Sequence, residues 1–279
     1  MKAGVCTIAM KDRSVVAAVE TAARVGAGGV EIWGREPHLP SPADRASRVR
    51  LRTLLRDAGL EAVALGSYFR PDGITGLPGS SVREEERGEY VLAAARELGC
   101  PLVRIWCGRG EYEETPESRR EAIYDDVRAF ADAAGREGCR VVLERHNGTL
   151  TSSWVSALKV LDEIDHPGVS LCYQVPYPAP AQELRGRTAD DFARLLPGCE
   201  HAHLQNYVER SQAGPEAPTD ARLPRTLLAE GIVDYTLFGR EAHRIAYDGW
   251  AMVEFPAAVR GVMSEDEALA ADVAFIVSL

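Results

Sequence analysis

The sequence predicts an α/β fold, a single (β/α)8 TIM barrel spanning residues 1–279. Three observations carry this expectation. Eight short apolar runs alternate with segments of helical spacing from one end of the chain to the other. Most helical segments stop at a Gly or at a turn containing Pro and Gly, as a helix must before the chain returns to the sheet. No G-x-G-x-x-G follows the first apolar run, which argues against an open dinucleotide-binding sheet. The length agrees, because such barrels commonly occupy about 250 residues.

Taken in order, residues 3–8 form the first apolar run and 14–25 the first helix, with Ser14 as cap and Gly26 as stop. Residues 29–33 pair with a helix over 43–58 that ends before Gly59, and 61–65 with a helix over 83–98 that ends before Gly99. The charged run 83–87 reads as a solvated helix start. Residues 102–107 lead to a helix over 117–137 before Gly138, and 140–144 to one over 153–164 that ends at Asp165-His166-Pro167-Gly168. Residues 169–173 precede a helix over 190–196, and 201–205 precede one over 235–247. The last pair is 251–255 with 265–277. Strands alternating with helices imply parallel pairing through right-handed crossovers. No linker or low-complexity stretch divides the chain, so one domain is expected. The longest irregular stretch, from Asn206 to about Val233, reads as a lid over the pocket.

Composition narrows the function. The apolar fraction is 46%, enough for a sizeable core, and the net charge is −10. Phosphate backbones need clustered Lys and Arg, so neither nucleic acid nor an anionic membrane is an expected partner. The six cysteines form no C-x-x-C pair and read as buried, reduced thiols. There is no basic region followed by a long apolar stretch at the N-terminus, and no apolar run near the ~20 residues of a membrane span. The expected location is the cytoplasm.

In such barrels chemistry sits at the C-terminal ends of the strands. The fifth strand exits through Glu144-Arg145-His146, and alternation puts Glu144 and His146 on one side. The sixth exits through Tyr173-Gln174, the seventh through His203-Leu204-Gln205, and the eighth through Glu254-Phe255. Glu144, Gln174, His203 and Glu254 therefore occupy equivalent places on four consecutive strands. Two carboxylates, an imidazole and an amide oxygen suit a divalent cation such as Mn, Mg, Co or Zn. Each residue alone reads equally as a buried ion pair or a satisfied structural histidine. Glu31, Trp33 and Trp106 are candidate substrate contacts, with core packing the competing reading for both indoles. Arg210, in the long loop, is a candidate contact for an anionic substrate or else a solvated cation.

These residues resemble the sugar phosphate isomerase/epimerase superfamily, the xylose isomerase-like barrels. The likeness is carried by Gly29-Val30-Glu31-Ile32-Trp33, Val103-Arg104-Ile105-Trp106, Glu144-Arg145-His146-Asn147-Gly148-Thr149, His201-Ala202-His203 and Tyr247-Asp248-Gly249-Trp250, and it runs over nearly the whole chain. The resemblance implies a metal held by Glu144, Gln174, His203 and Glu254. Gln174 stands where the family has Asp. Its neutral amide removes one negative charge and is expected to weaken binding of a hard cation. Gln205 replaces a Lys usual in the family.

By the same resemblance, the expected activity is a metal-dependent isomerase or epimerase acting on a sugar-like hydroxy-carbonyl compound. Glu144 and Glu254 would move the proton, with His146 as a further base. Two alternatives remain. One is a lyase that cleaves oxidised glycosides by β-elimination, since that branch also has a His two residues after the fifth-strand Glu. The other is a metal-free sugar-binding barrel. An endonuclease on the same barrel needs more His ligands than six His residues supply, because His38, His166 and His243 fall in turns or helices. The expected partner is a small carbohydrate, and a homo-oligomer is left open.

Overall fold

The computed structural model describes residues 1–71, 87–175, 189–209, 223–256 and 263–279. Eight parallel strands close into a barrel in the order β1-β10-β7-β6-β5-β4-β3-β2. They are β1 (Lys2–Cys6), β2 (Gly29–Trp33), β3 (Glu61–Gly66), β4 (Leu102–Ile105), β5 (Arg140–Glu144), β6 (Val169–Gln174), β7 (Cys199–Leu204) and β10 (Trp250–Val253). The described helices are α1 (Val15–Arg24), α2 (Arg45–Asp57), α3 (Gly88–Leu98), α4 (Glu117–Arg136), α5 (Trp154–Ile164), α6 (Ala189–Leu195), α7 (Tyr235–Arg244) and α8 (Glu265–Ser278).

Local chemistry sets the helix ends. Ser14 accepts the backbone N–H of Ala17, Ser153 forms a capping box with Ser156, and Ser264 forms one with Glu267. Gly99 ends α3 at φ 80°, a left-handed conformation that a side chain would oppose.

Several boundaries differ from the sequence reading. The first strand stops at Cys6, because Thr7–Met10 coil into a 3-10 turn whose Thr7 hydroxyl accepts the Trp33 N–H at 2.8 Å. The fourth ends at Ile105 rather than 107. The long stretch after β7 contains a short antiparallel pair, β8 (Asn206–Tyr207) with β9 (Arg225–Thr226). Residues 210–222 of this stretch, Arg210 among them, lie outside the described residues, so the expected lid over 206–233 is described only in part.

Asn206 ties the base of this stretch together. Its amide donates to the carbonyls of Leu228 and Val233, and its oxygen accepts the N–H of Tyr207 and of Val233. Gly231 permits the approach, since a Cβ there would stand 2.0 Å from the Asn206 side chain.

The main apolar core lies between barrel and helices, with Val5, Ile32, Leu65, Val103, Val141, Tyr173 and Phe238 among its members. A second cluster of Cys6, Val63, Leu102, Val142, Cys172 and Met252 comes from the alternate, inward strand positions. All six cysteines are buried and unpaired. Among the described residues, no helix is long and apolar enough to cross a membrane.

Candidate active site at the barrel mouth

Above the apolar floor the interior turns polar. Glu31, Arg104, Glu144, His201, His203 and Glu254 come from five strands or strand ends and are all buried. Burying this many ionisable groups is costly unless they satisfy one another. Glu31 Oε2 accepts from His201 Nε2 at 2.6 Å and from His203 Nε2 at 2.8 Å. Arg104 stands 3.7 Å from Glu31 and 3.0 Å from Glu144 Oε2, and its guanidinium donates to the Ser67 carbonyl at 2.9 Å. The Trp106 indole N–H also donates to Glu144 Oε2. Gly66 makes room for this packing, since a Cβ there would stand 2.3 Å from Glu31 Oε1.

The free side of His203 faces upward. Nδ1 is buried without a hydrogen bond and lies 3.4 Å from Glu144 Oε1 and 3.7 Å from Glu254 Oε1. Donor atoms of Glu144, His203 and Glu254 lie within 4.8 Å of one another. An orphaned nitrogen between two carboxylates is a donor set that fits a divalent cation. Two other clusters, Cys172–His201–His203 and Cys6–Glu31–His203, share the same histidine. Both lie in the sealed interior, whereas Glu144 and Glu254 line an open cavity. Gln174 lines the same cavity and donates its Nε2 to Glu254 Oε2 at 2.8 Å.

Charge follows from these contacts. Burial pushes the Glu144 carboxyl up, but Arg104 and His203 outweigh it and hold it at about 2. Burial also acts on Glu31, and the charge and hydrogen bonds of the two imidazoles hold it well below the usual carboxylate range. Glu254 is raised by burial, with His203 and Gln174 only partly offsetting the added repulsion of Glu144. Burial opposes a charge on His203, yet Cys172 and Glu31 carry it well above the ordinary imidazole value. Burial lifts the Cys172 thiol to about 11, leaving it neutral near pH 7, so the Glu31 carboxylate is the effective partner. Burial lowers His201.

The cavity above has a volume of about 310 Å³. Its lining includes Tyr68, Arg104, Trp106, Glu144, Arg145, His146, Gln174, Arg225, Glu254 and Phe255. His146 is half-buried, with its ring 4.6 Å from that of Trp106, and Nδ1 lies 2.8 Å from the Asn147 carbonyl. A larger groove of about 640 Å³ lies outside the barrel between Val15, Pro37, Leu39, Leu51 and Leu54. It is apolar and gathers no comparable cluster of titratable groups.

The structure thus brings Glu144, His203 and Glu254 together, with Gln174 beside Glu254 and with His146 and Trp106 on the cavity wall. The other substrate candidates lie elsewhere. Glu31 sits beneath the mouth, outside the cavity lining, with its carboxylate occupied by both imidazoles. Trp33 is half-buried and not itself in the lining, and it donates to the hydroxyl of the lining residue Tyr68 at 2.8 Å. Arg210 falls outside the described residues. The sequence reading named Phe255 only as part of a strand exit and passed over Tyr68 and Arg225. Tyr68 follows β3 by two residues, so scanning that exit as well would have found it. Arg225 is on β9, which carries no strand-period signal.

Comparisons place these features in context. The model of the xylose isomerase-like TIM barrel family matches residues 19–279. A 3-dehydroshikimate dehydratase of Bacillus anthracis is 24% identical over 243 residues, covering 84% of each chain. The crystal structure of the probable 3-DHS dehydratase AsbF from Bacillus anthracis superposes with a TM-score of 0.75 at 23% identity, covering 99% of each chain. A D-allulose 3-epimerase from Methylomonas sp. follows with 0.69 at 18%, covering 100% of this chain and 97% of the other. The IolI protein, solved with a bound zinc atom, gives 0.71 at 14%, with the same coverage. Such distant structural likenesses speak for the fold alone, and the family match runs through every strand from β2 onward. This chain belongs to the xylose isomerase-like TIM barrel family.

Proposed function

We propose that this chain is a divalent-metal-dependent lyase of the dehydratase type, acting on a small hydroxy-ketone that carries a carboxylate. The observation that carries the reading is the convergence of Glu144, Glu254 and the orphaned Nδ1 of His203 on one point below an arginine-bearing cavity. Glu144, His203 and Glu254 would hold the cation, with Gln174 alongside. When bound, it supplies Lewis-acid stabilisation of charge developing on the substrate's carbonyl oxygen.

The chain's own groups account for the rest. Glu144 and Glu254 reach in from β5 and from the exit of β10, flanking His203, so a carboxylate is placed to take a proton from the carbinol carbon beside the carbonyl. Trp106 and Arg104 engage Glu144 Oε2 and leave Oε1 turned toward the centre. The electron pair moves to the carbonyl oxygen as an enediolate. It then returns to expel the hydroxyl on the next carbon, and His146 is placed at the rim to protonate that group so that it leaves as water. Arg225, stacked 4.1 Å over Phe255, and Arg145 suit the substrate's carboxylate.

The first half of this sequence is common to isomerases, epimerases and lyases, which part only in the fate of the enediolate. The sequence reading placed isomerisation first. A relative that is a dehydratase supports elimination, and the arginines at the mouth suit a substrate that carries a carboxylate. Epimerisation is the second reading, supported by carboxylates on two sides of the centre.

The test uses protein stripped with chelator and reloaded with Mn²⁺ or Zn²⁺, given 3-dehydroshikimate or a panel of ketoses in D₂O. The expected result is metal-dependent loss of water with growth of an aromatic absorbance. Deuterium washed into recovered ketose, with no water lost from any acid, would overturn the lyase reading in favour of the epimerase.

A further inference from the structure

His203 has two ring nitrogens with divided surroundings. Nδ1 faces Glu144 and Glu254, and Nε2 lies 2.8 Å from Glu31 Oε2. A metal-ligating imidazole needs its lone pair on one nitrogen and its proton on the other, and the partner of the second nitrogen decides which is which. We propose that Glu31 is a positioning residue that fixes His203 as the Nε2–H tautomer, so that Nδ1 presents its lone pair between Glu144 and Glu254. The proposal rests on the metal reading above and deepens it.

Glu31 is itself held on every side. Oε2 accepts from both His201 and His203, Oε1 faces Arg104, and Gly66 supplies the space. Its carboxylate is acceptor-only, so it admits Nε2–H and rejects the opposite tautomer. His201 sits on the same oxygen and limits its rotation. One carboxylate three strands from β7 therefore orients a ligand that it never shares with the cation. Glu31 reaches that position as an inward-facing residue of β2, in register with Cys6 of β1.

The experiment reads binding and tautomer, not turnover. Zinc is titrated into metal-free, ¹⁵N-labelled protein, and the His203 side chain is followed by ¹⁵N–¹H correlation, assigned with His203→Gln. Calorimetry measures zinc affinity in parallel. The expected wild-type result is zinc on Nδ1 with a retained Nε2–H. Glu31→Leu should bind zinc about 10–100-fold more weakly, and Glu31→Gln, which keeps an acceptor oxygen, should recover part of that loss. If the Leu variant fails to fold, the wild-type spectrum alone decides. Zinc on Nε2, or unchanged affinity in a folded Glu31→Leu, overturns this proposal and leaves the metal reading standing. No zinc-induced change at His203 overturns both.

Discussion

The amide nitrogen of Gln174 donates to Oε2 of Glu254 over 2.8 Å, so the one amide of the expected ligand set is hydrogen-bonded to a carboxylate. Gln174→Asp would set two carboxylates face to face. The metal-free variant should then melt below wild type, and divalent affinity should rise about tenfold or more as the added charge meets a cation. Calorimetric titration with Mn²⁺ checks this, and an unchanged affinity would mean that Gln174 does not take part in the site.

Glu144 and Glu254 serve in the proposal both as ligands and as proton carriers. Glu144→Ala and Glu254→Ala should each lose stoichiometric metal, and kcat/KM should fall by at least about 100-fold. Metal analysis of the purified variants, alongside the assay of water loss, tests both. Retention of metal and turnover in either variant would remove that residue from the site.

Arg104 is the fixed cation among three buried carboxylates. Arg104→Met should cost about 3–5 kcal/mol, since it leaves Glu31 and Glu144 buried without their counter-charge. The Glu144 carboxyl should rise from its depressed value. Urea denaturation reads the loss, and a variant as stable as wild type would show that the histidines suffice.

In the proposed reaction Arg225 reads the substrate rather than doing chemistry. Arg225→Met should raise KM for carboxylate-bearing substrates by about tenfold or more, with little change in kcat. A neutral ketose, if one is turned over at all, should show no such rise. Equal effects on charged and neutral substrates would argue that Arg225 only packs on Phe255.

Asp272 lies far from the mouth, in α8. One oxygen accepts the Leu228 N–H at 2.7 Å, and the other is buried without a partner among the described residues. Burial pushes this carboxyl from 3.8 up to about 7. The folded protein then keeps a proton that the unfolded chain releases above about pH 4. The resulting stabilisation is full below pH 4 and lost as pH rises through 7. Asp272→Asn keeps the Leu228 bond and cannot ionise, so its melting temperature should gain on wild type between pH 4 and pH 8. Each kcal/mol recovered corresponds to about 2–4 °C. A gap that stays constant across this range would show that Asp272 does not titrate there.

Much of this molecule was legible before any coordinates. Alternation of apolar runs with capped helices specifies parallel strands, and eight units specify closure, because these are short-range patterns written along the chain. The rule that strand exits carry chemistry then singled out Glu144, His203 and Glu254. Other features were not written locally. Trp106 and Glu144 are 38 residues apart, and His203 and Glu31 are 172 apart. Register between strands was equally hidden: β2 against β3 slips at Val30/Glu31, and β6 against β7 slips at Leu171/Cys172. A one-residue slip exchanges the inward and outward faces of a strand, and no single-strand periodicity records it. The sequence by itself determined the barrel and the residues at its rim. Only closure of the sheet decided which nitrogen of His203 faces the carboxylates, since that follows from long-range contacts among strands whose own patterns carry no knowledge of one another.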